Sequence, residues 1–186
     1  MKMTVPTFTL YSAVLMALTL RIVISDDVDN SLADTCLRYN GHCNLTVTYG
    51  PPLNTLQCGQ NVPESAGQLL SVSPVLKVTN PLTITSKLVL VMFDPDAPGD
   101  GFMHWLANVV FDENGVGTID NVIKDYYPPT PPRNDGQHRY QISIYRSNLD
   151  IPITVANSRQ VNFCSFLTDN SLTQLIAVFQ FKYART

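Results

Sequence analysis

This chain lacks several features that mark enzymes and metalloproteins. It has no Gly-x-Ser-x-Gly sequence, the turn on which many hydrolases expose a serine nucleophile. Its four cysteines form neither Cys-x-x-Cys nor His-x-Cys spacings, so a zinc knuckle is not indicated. Internal repeats, low-complexity tracts and linkers that would divide the chain are also missing. We therefore expect a single-domain protein that is not an enzyme and uses neither a cofactor nor a metal.

Basic residues are scarce. The 186 residues include 12 lysines and arginines against 15 aspartates and glutamates. Two of the basic residues, Lys2 and Arg21, lie in an apolar N-terminal segment, so residues 26–186 hold 10 basic and 15 acidic residues. Nucleic acid binding needs a basic patch that neutralises phosphates, and an acidic surface does not supply one. We expect no nucleic acid partner.

Long apolar runs are also rare, and the clearest one stands at the N-terminus. Lys2 provides a positive start, residues 5–20 are mostly apolar, and small residues acceptable to a signal peptidase follow. The alternative is a membrane anchor, but Arg21 and several hydroxyl residues interrupt the run before it reaches a comfortable span. We predict a signal peptide at residues 1–25 and a secreted protein with no transmembrane anchor. Residues 26–186 then form one domain, long enough to bury a substantial core.

The cysteines all lie downstream of the predicted signal peptide. An even number in a secreted protein indicates two disulfides, and four cysteines allow three pairings. A hairpin over residues 45–58 would place Cys43 opposite Cys58 and leave Cys36 for Cys164. The other two pairings remain open at this point.

One Asn-x-Thr sequon begins at Asn44. In a secreted protein such a sequon is a candidate glycosylation site on the surface. It directly follows Cys43, so a glycan on Asn44 would stand beside a disulfide if that cysteine is bridged.

Segments rich in β-branched and aromatic residues recur along the chain and outnumber helical patterns. We predict strands at residues 74–78, 82–85, 87–94, 104–111 and 139–146. Residues 87–94 are apolar on both faces, which is typical of a central strand covered on both sides. A short helix is predicted at residues 162–169, and a further apolar run covers 172–183. The fold class is mainly β with one or two short helices.

Polar residues gather at the ends of two predicted strands. Asp94 and Asp96 flank a proline that stiffens the backbone, and His104 opens the following strand. Two such carboxylates can accept N–H or ammonium donors or orient a histidine. The alternative is structural, because strand-end aspartates often cap loop amides. Equally, a single histidine is often half-buried and bonded to a main-chain carbonyl.

The second polar cluster lies at the start of the strand predicted at residues 139–146. His138 and Tyr140 are two residues apart, so their side chains point to the same face, which continues with Ile142 and Ile144. The opposite face holds Arg139, Gln141 and Ser143. An apolar body with a few convergent polar groups at one end is the usual composition of a ligand pocket.

The chemistry of such a pocket favours a small anion. Imidazole N–H groups, a phenol O–H and loop amides near Gly136 are hydrogen-bond donors that suit phosphate, carboxylate or sulfate. The aspartates can accept an ammonium group on the same ligand. A zwitterionic headgroup that contains both a phosphate and an amine would satisfy both sets.

At these residues the chain resembles the phosphatidylethanolamine-binding protein family, also called the Raf kinase inhibitor protein family. Asp94-Pro95-Asp96-Ala97-Pro98 with His104-Trp105-Leu106 matches its first signature. Pro131-Pro132 with Gly136-x-His138-Arg139-Tyr140 matches the second. Weaker similarity extends from Leu45 to Tyr183, and the leader and cysteines are similar to the secreted branch of the family.

The resemblance implies a β-sandwich-like domain with a central sheet, a second sheet and one or two short helices. By position, its ligand pocket comprises Asp94, Asp96, His104, Pro132, His138 and Tyr140. Family members are mostly not enzymes: they bind phospholipid headgroups or other anions, and they modulate kinases, inhibit serine proteases or act as scaffolds.

Two departures from the family pattern concern the pocket. Only five residues, 99–103, separate Pro98 from His104, where relatives carry a longer segment that contains arginine and aromatic residues. Phe102 is expected to replace a wall aromatic. The family's Gly-x-Gly before the two prolines is here Pro128-Pro129-Thr130, and prolines cannot donate an N–H to an anion.

Three functions follow from these observations. The leading one is a secreted, non-catalytic binder of phospholipid headgroups or other small phosphate-type anions that modulates signalling. The second is an extracellular interaction protein, such as a serine protease inhibitor or receptor modulator, in which the pocket is vestigial. A hydrolase that uses Asp and His ranks last.

Overall fold

The fold is given by a computed structural model, which describes residues 36–79, 87–147 and 152–186. The predicted signal peptide at residues 1–25 and the predicted strand at residues 82–85 lie outside the described residues. Within the described part of the chain, no helix is long and apolar enough to cross a membrane.

The described residues form a six-stranded sheet, a two-stranded sheet and two short helices. The strands are β1 (Leu45–Thr48), β2 (Asn61–Val62), β3 (Val75–Val78), β4 (Leu88–Asp94), β5 (Phe102–Phe111), β6 (Gly117–Lys124), β7 (His138–Arg146) and β8 (Leu175–Tyr183). The larger sheet has the order β2–β8–β7–β4–β5–β6, in which only β2 and β8 are parallel; β1 and β3 form the smaller sheet. A 3₁₀ helix covers Glu64–Ser71, and α1 covers Phe163–Asp169. The prediction of a mainly β fold with a second sheet is confirmed.

Strand β4 lies in the middle of the larger sheet, and all seven of its residues are buried. Leu90 and Met92 face one core, which the small sheet and the 3₁₀ helix cover. Val89, Val91 and Phe93 face a second core, which α1 covers. Strands buried on both faces are commonly near-continuous apolar runs, which is why residues 87–94 were recognisable in the sequence as a central strand.

The predicted hairpin over residues 45–58 forms only as a short antiparallel turn, and the longer pairing of β1 lies elsewhere. Strand β1 pairs with β3, where Leu45 is opposite Val78. Within residues 45–58, Thr48 and Thr55 form an antiparallel bridge, Tyr49 N–H donates to the oxygen of Asn54, and Leu56 N–H donates to the oxygen of Val47. The alternating burial of β1 explains why it pairs with β3, because β3 presents a matching apolar face to the same core.

Strand β6 and the 3₁₀ helix were not predicted. Strand β6 lies at the edge of the larger sheet and is mostly exposed or half-exposed, with a polar sequence that shows no clean alternation. Its strand conformation follows from pairing with β5. The predicted helix at residues 162–169 is present, and Asn162 caps it by accepting a hydrogen bond from Ser165 N–H.

The two disulfides join Cys36 to Cys164 and Cys43 to Cys58, with Cα–Cα distances of 5.4 and 5.8 Å. This is the pairing that the sequence analysis favoured. The first disulfide connects the start of the described chain to α1, and the second closes the loop that follows β1.

The second face of β7 is buried, although its sequence is polar. The side-chain amide of Gln141 and the hydroxyls of Ser143 and Tyr145 are enclosed without a hydrogen bond of normal geometry, although Ser143 and Tyr145 interact weakly with each other. Tyr145 belongs to the core beneath α1, whereas Tyr140 belongs to the opposite core. The strand thus carries, on opposite faces, two buried tyrosine hydroxyls without a hydrogen bond of normal geometry.

Candidate ligand-binding site

A cavity of about 190 Å³ opens at one end of the central strands of the larger sheet. Strand β4 ends here, while its antiparallel neighbours β5 and β7 both begin there. The pairing therefore brings together two polar segments that are far apart in the sequence. Five predicted site residues line the cavity: Asp94, His104, Pro132, His138 and Tyr140. The remaining lining residues are Ala97, Pro98, Phe102, Tyr127, Thr130 and Pro131.

Asp94 and His138 form a buried pair in this cavity. His138 Nδ1 lies 2.8 Å from Asp94 Oδ2, and both side chains are almost fully enclosed. Asp94 Oδ1 accepts a second hydrogen bond from the main-chain N–H of Asp96 at 2.9 Å. Burial raises the pKa of Asp94 above its usual value, while the hydrogen bond from His138 acts in the opposite direction. Because both oxygens accept N–H donors, the geometry is that of a carboxylate.

His104 is held by a main-chain carbonyl. Its Nδ1 lies 2.8 Å from the oxygen of Tyr127, so this nitrogen carries the proton. The other ring nitrogen, Nε2, stands 3.9 Å from Asp94 Oδ2, beyond hydrogen-bond distance. Burial, together with the charge of Arg159, lowers the pKa of His104 to about 4 in spite of the bond to Tyr127. The ring is therefore neutral near pH 7, with Nε2 as an acceptor.

Tyr140 places a buried hydroxyl in the cavity. Its ring stacks on Phe181 at 5.3 Å and meets the edge of His104 at 5.1 Å. The hydroxyl makes no hydrogen bond of normal geometry among the described residues, although Asp94 lies close enough to act on it both as a weak hydrogen-bond acceptor and through its charge. Burial first, and then this charge, raise the pKa of Tyr140 far above its usual value. Tyr140 therefore remains a phenol and presents an O–H donor.

Asp96, the sixth predicted site residue, does not line the cavity. Its carboxylate binds Arg139 through both oxygens, with Oδ1 at 2.7 Å from Nη2, and Oδ2 accepts from the Arg139 main-chain N–H at 2.6 Å. The side chains of this pair are about a quarter exposed. Asp96 thus connects the first motif to Arg139 of the second motif.

An aromatic wall completes the cavity, and sequence reasoning found only half of it. Phe102, which was expected as a wall residue, lies 4.8 Å from the His104 ring and 5.4 Å from the Tyr127 ring. Tyr127 was missed, because its segment has no secondary structure and its contacts come from other parts of the chain. Arg159 lies over the Tyr127 ring at 5.5 Å and donates to the main-chain oxygens of Met103 and His104. A Tyr-Tyr pair before a proline-rich stretch was the only available signal.

The proline-rich rim limits how many main-chain donors the cavity can offer. Among residues 128–132, only Thr130 has an N–H, since the other four are prolines. Thr130, Pro131 and Pro132 all line the cavity. Ligand contacts with N–H donors in this stretch can therefore come only from Thr130. In the described residues no group of three or more His, Cys, Asp or Glu side chains is arranged to hold a metal.

The low pKa of His104 predicts a specific loss of stability in acid. In the unfolded chain the pKa of this imidazole returns to about 6.5, so between pH 6.5 and about 4 the unfolded state binds a proton that the folded state does not. The stability that depends on neutral His104 should be fully present above pH 6.5. We expect the protein to lose about 3 kcal/mol of unfolding free energy as the pH falls through this window. The raised pKa of Asp94 offsets part of this loss near the acidic end. Urea unfolding at several pH values measures it.

The control for this prediction is His104→Gln, which retains a donor for the Tyr127 carbonyl but does not titrate. Its unfolding free energy should depend less on pH than that of the wild type over the same window. Parallel curves for the two proteins would show that His104 is not the group responsible.

Comparison with known proteins agrees with this geometry. A family model described as phosphatidylethanolamine-binding protein matches residues 46–181. A UPF0098 protein of Pyrococcus horikoshii is 28% identical over 109 residues, which cover 49% of this chain and 55% of that protein. A UPF0098 protein of Pyrococcus abyssi is 26% identical over 99 residues and is covered to 53%. The chain thus spans about half the length of these curated relatives.

Solved structures show the same fold at low sequence identity. The carboxypeptidase Y inhibitor, determined in complex with its cognate proteinase, has a TM-score of 0.63 and 20% identity, with 76% of this chain and 83% of that chain covered. A phosphatidylethanolamine-binding protein from Plasmodium vivax has a TM-score of 0.58 and 15% identity, with 76% and 85% covered. Because the family model spans most of the chain and both signature motifs meet at one cavity, this protein belongs to the phosphatidylethanolamine-binding protein family.

Proposed function

We propose that this protein is a secreted, non-catalytic binder of phospholipid headgroups or other small phosphate-type anions. We propose further that it modulates signalling. The observation that carries the proposal is the buried Tyr140 hydroxyl. It makes no hydrogen bond of normal geometry with the described residues, only a weaker interaction with the Asp94 carboxylate, and it lines the cavity beside the Asp94–His138 pair. An enclosed donor without a well-placed acceptor costs free energy, which a bound anion would recover.

The size of the cavity supports a small ligand. Pockets that enclose a drug-sized molecule are typically about 300–1,000 Å³, and this one is about 190 Å³. It has room for a phosphate or a headgroup, whereas the acyl chains of a lipid would have to remain outside. Of the predicted binding residues, Asp94, His104, Pro132, His138 and Tyr140 are proposed as ligand contacts. Asp96 is proposed to orient the motifs through Arg139.

The proposal of secretion rests on the predicted leader at residues 1–25, with the mature domain at 26–186. The two disulfides support it, because disulfides persist mainly in oxidising compartments. The proposed glycosylation site, Asn44, is exposed, although its amide bonds to strand β8: Oδ1 accepts from Val178 N–H and Nδ2 donates to the oxygen of Ile176. One of the two amide hydrogens is left for a glycan.

Removing the Tyr140 hydroxyl is the test of this proposal. Tyr140→Phe keeps the ring that packs against Phe181 and deletes only the oxygen. We expect it to bind glycerophosphoethanolamine about 10- to 100-fold more weakly than the wild type, since a hydrogen bond to a charged group is worth about 1.5–3 kcal/mol. Isothermal titration calorimetry of the oxidised protein measures the difference.

Tyr145→Phe is the matched control. Tyr145 lies on the same strand and its hydroxyl is also buried without a hydrogen bond of normal geometry, but it faces the other core. The Tyr145→Phe variant should bind glycerophosphoethanolamine as tightly as the wild type does. Both substitutions remove an incompletely satisfied hydroxyl, so neither should destabilise the fold. His138→Ala is less suitable, because His138 is buried against Asp94 and its loss would disturb the fold.

Unchanged affinity in Tyr140→Phe, or no saturable binding by the wild type, would contradict the proposal. The alternative function, an extracellular interaction protein such as a serine protease inhibitor or receptor modulator, would then take its place. The specific observation in its favour is the rim of the cavity, where Tyr127 is 45% exposed next to a rigid run of prolines at residues 128–132. The fold shared with the carboxypeptidase Y inhibitor is compatible with either function.

A further inference from the structure

We propose that the cavity selects anions that bring their own hydrogen-bond donor, because the polar groups still available inside it are mainly acceptors. This inference rests on the proposed anion-binding function and adds a rule for which anions are accepted. The donor can be the P–O–H of inorganic phosphate or the ammonium group of an ethanolamine headgroup.

The first acceptor is Asp94. A carboxylate has about four acceptor positions, and the described contacts use two of them, one for Asp96 N–H and one for His138 Nδ1–H. The remaining positions belong to a buried negative charge that lines the cavity. An anion without a proton would meet this charge directly, and in an enclosed site the repulsion is strong.

The second acceptor is Nε2 of His104. Because Nδ1 is committed to the Tyr127 carbonyl, a neutral ring leaves Nε2 with a lone pair on the side of Asp94. The imidazole does not gain a second proton easily, since it is buried and has the positive charge of Arg159 nearby. His104 therefore adds to the acceptor side of the cavity and does not supply an N–H to an anion near neutral pH.

The donors are fewer. Tyr140 offers one O–H, and the proline-rich rim can add only the N–H of Thr130. His138 adds no further donor through Nδ1, because this nitrogen already bonds Asp94. The other ring nitrogen, Nε2, lies 3.4 Å from Asp135 Oδ2. A ligand that both accepts from Tyr140 and donates to Asp94 or His104 fits this set, whereas a ligand that only accepts leaves buried acceptors opposed to its own oxygens.

Two matched pairs of ligands test the rule in the wild-type protein at pH 7. Inorganic phosphate retains a proton at this pH, and sulfate is a tetrahedral anion of similar size without one. Glycerophosphoethanolamine carries ammonium N–H donors, and glycerophosphocholine carries a quaternary nitrogen without any. We expect calorimetry to show at least about 10-fold tighter binding of the first member of each pair. Selectivity within only one pair would identify the source of the donor, free phosphate or headgroup, and would still support the rule.

Asp94→Asn tests which residue sets the preference. The asparagine side chain can still accept a hydrogen bond and now offers N–H donors in place of a charge. We expect the variant to bind sulfate more tightly than the wild type does, so that its preference for phosphate over sulfate falls several-fold. Circular dichroism confirms that the variant is folded. A variant preference equal to that of the wild type would overturn the assignment to Asp94. The ligand pairs need no substitution, so the rule remains testable even if this variant does not fold.

The outcomes separate this inference from the function on which it rests. If sulfate binds as tightly as phosphate, and glycerophosphocholine as tightly as glycerophosphoethanolamine, the selection rule is wrong. Should Tyr140→Phe weaken all four ligands in that case, the anion-binding function stands without the rule. If none of the four ligands binds, both the function and the rule are overturned.

Discussion

Removing the Cys36–Cys164 disulfide should destabilise this protein by about 5 kcal/mol, the largest single effect that we expect. The two cysteines are 128 residues apart, so the bridge restricts most of the unfolded chain. In the chain-entropy description the stabilisation grows with the logarithm of the loop length, which gives about 5 kcal/mol for this loop. The bridge also ties Cys36 to α1, beside the core that buries Phe163 and Phe166. Guanidinium unfolding of Cys36→Ala/Cys164→Ala measures the loss.

The second disulfide provides an internal comparison. Cys43 and Cys58 are only 15 residues apart, and the same description gives about 3 kcal/mol for Cys43→Ala/Cys58→Ala. The longer bridge should therefore be worth more than the shorter one. Equal losses, or a larger loss for the shorter bridge, would show that local packing outweighs the entropy of the unfolded chain.

Asp94→Ala is expected to have the second largest effect, a loss of about 3–5 kcal/mol of unfolding free energy. The substitution leaves His138 buried without its 2.8 Å partner and exposes the Asp96 N–H to an empty space. Removing one partner of a buried hydrogen bond to a carboxylate is far more costly than removing an exposed one, because the remaining polar group cannot return to water. Urea unfolding at pH 7 measures the difference from the wild type.

Asp96→Ala is the control for that prediction. Asp96 lies two residues away and forms an ion pair, but its partnership with Arg139 is about a quarter exposed. Its loss should cost roughly 1 kcal/mol, in line with partly exposed ion pairs. A loss as large as that of Asp94→Ala would mean that the Asp96–Arg139 connection between the motifs matters as much to stability as the buried pair.

The fold was largely predictable from local sequence where burial is simple. Strand β4 was recognisable because both of its faces are buried, and β7 because its sequence alternates. Strand β6 could not be recognised, since an edge strand with polar residues has no distinct pattern. The pairing of β1 with β3 was also missed, because it depends on a shared core and not on the turn that follows β1.

The lining of the cavity was largely predictable from the sequence, whereas the contacts of each residue were not. Motif residues pointed to Asp94, His104, Pro132, His138 and Tyr140, which do line one cavity. Asp96 belongs to the same motif, yet its carboxylate turns towards Arg139. Tyr127 comes from an irregular segment with no motif of its own, and only its contacts identify it as a wall residue.

The sequence alone determined the β-rich class and the two polar motifs, because hydrophobic periodicity and residue chemistry are local properties. Tertiary structure decided how these motifs function together. Antiparallel pairing of β4 with β5 and β7 brings the motifs to one end of the central strands of the sheet. Burial then sets their protonation, keeping the His104 ring neutral and Tyr140 a phenol. Hydrogen-bond partners and desolvation depend on residues far away in the chain, so no local pattern could have specified them.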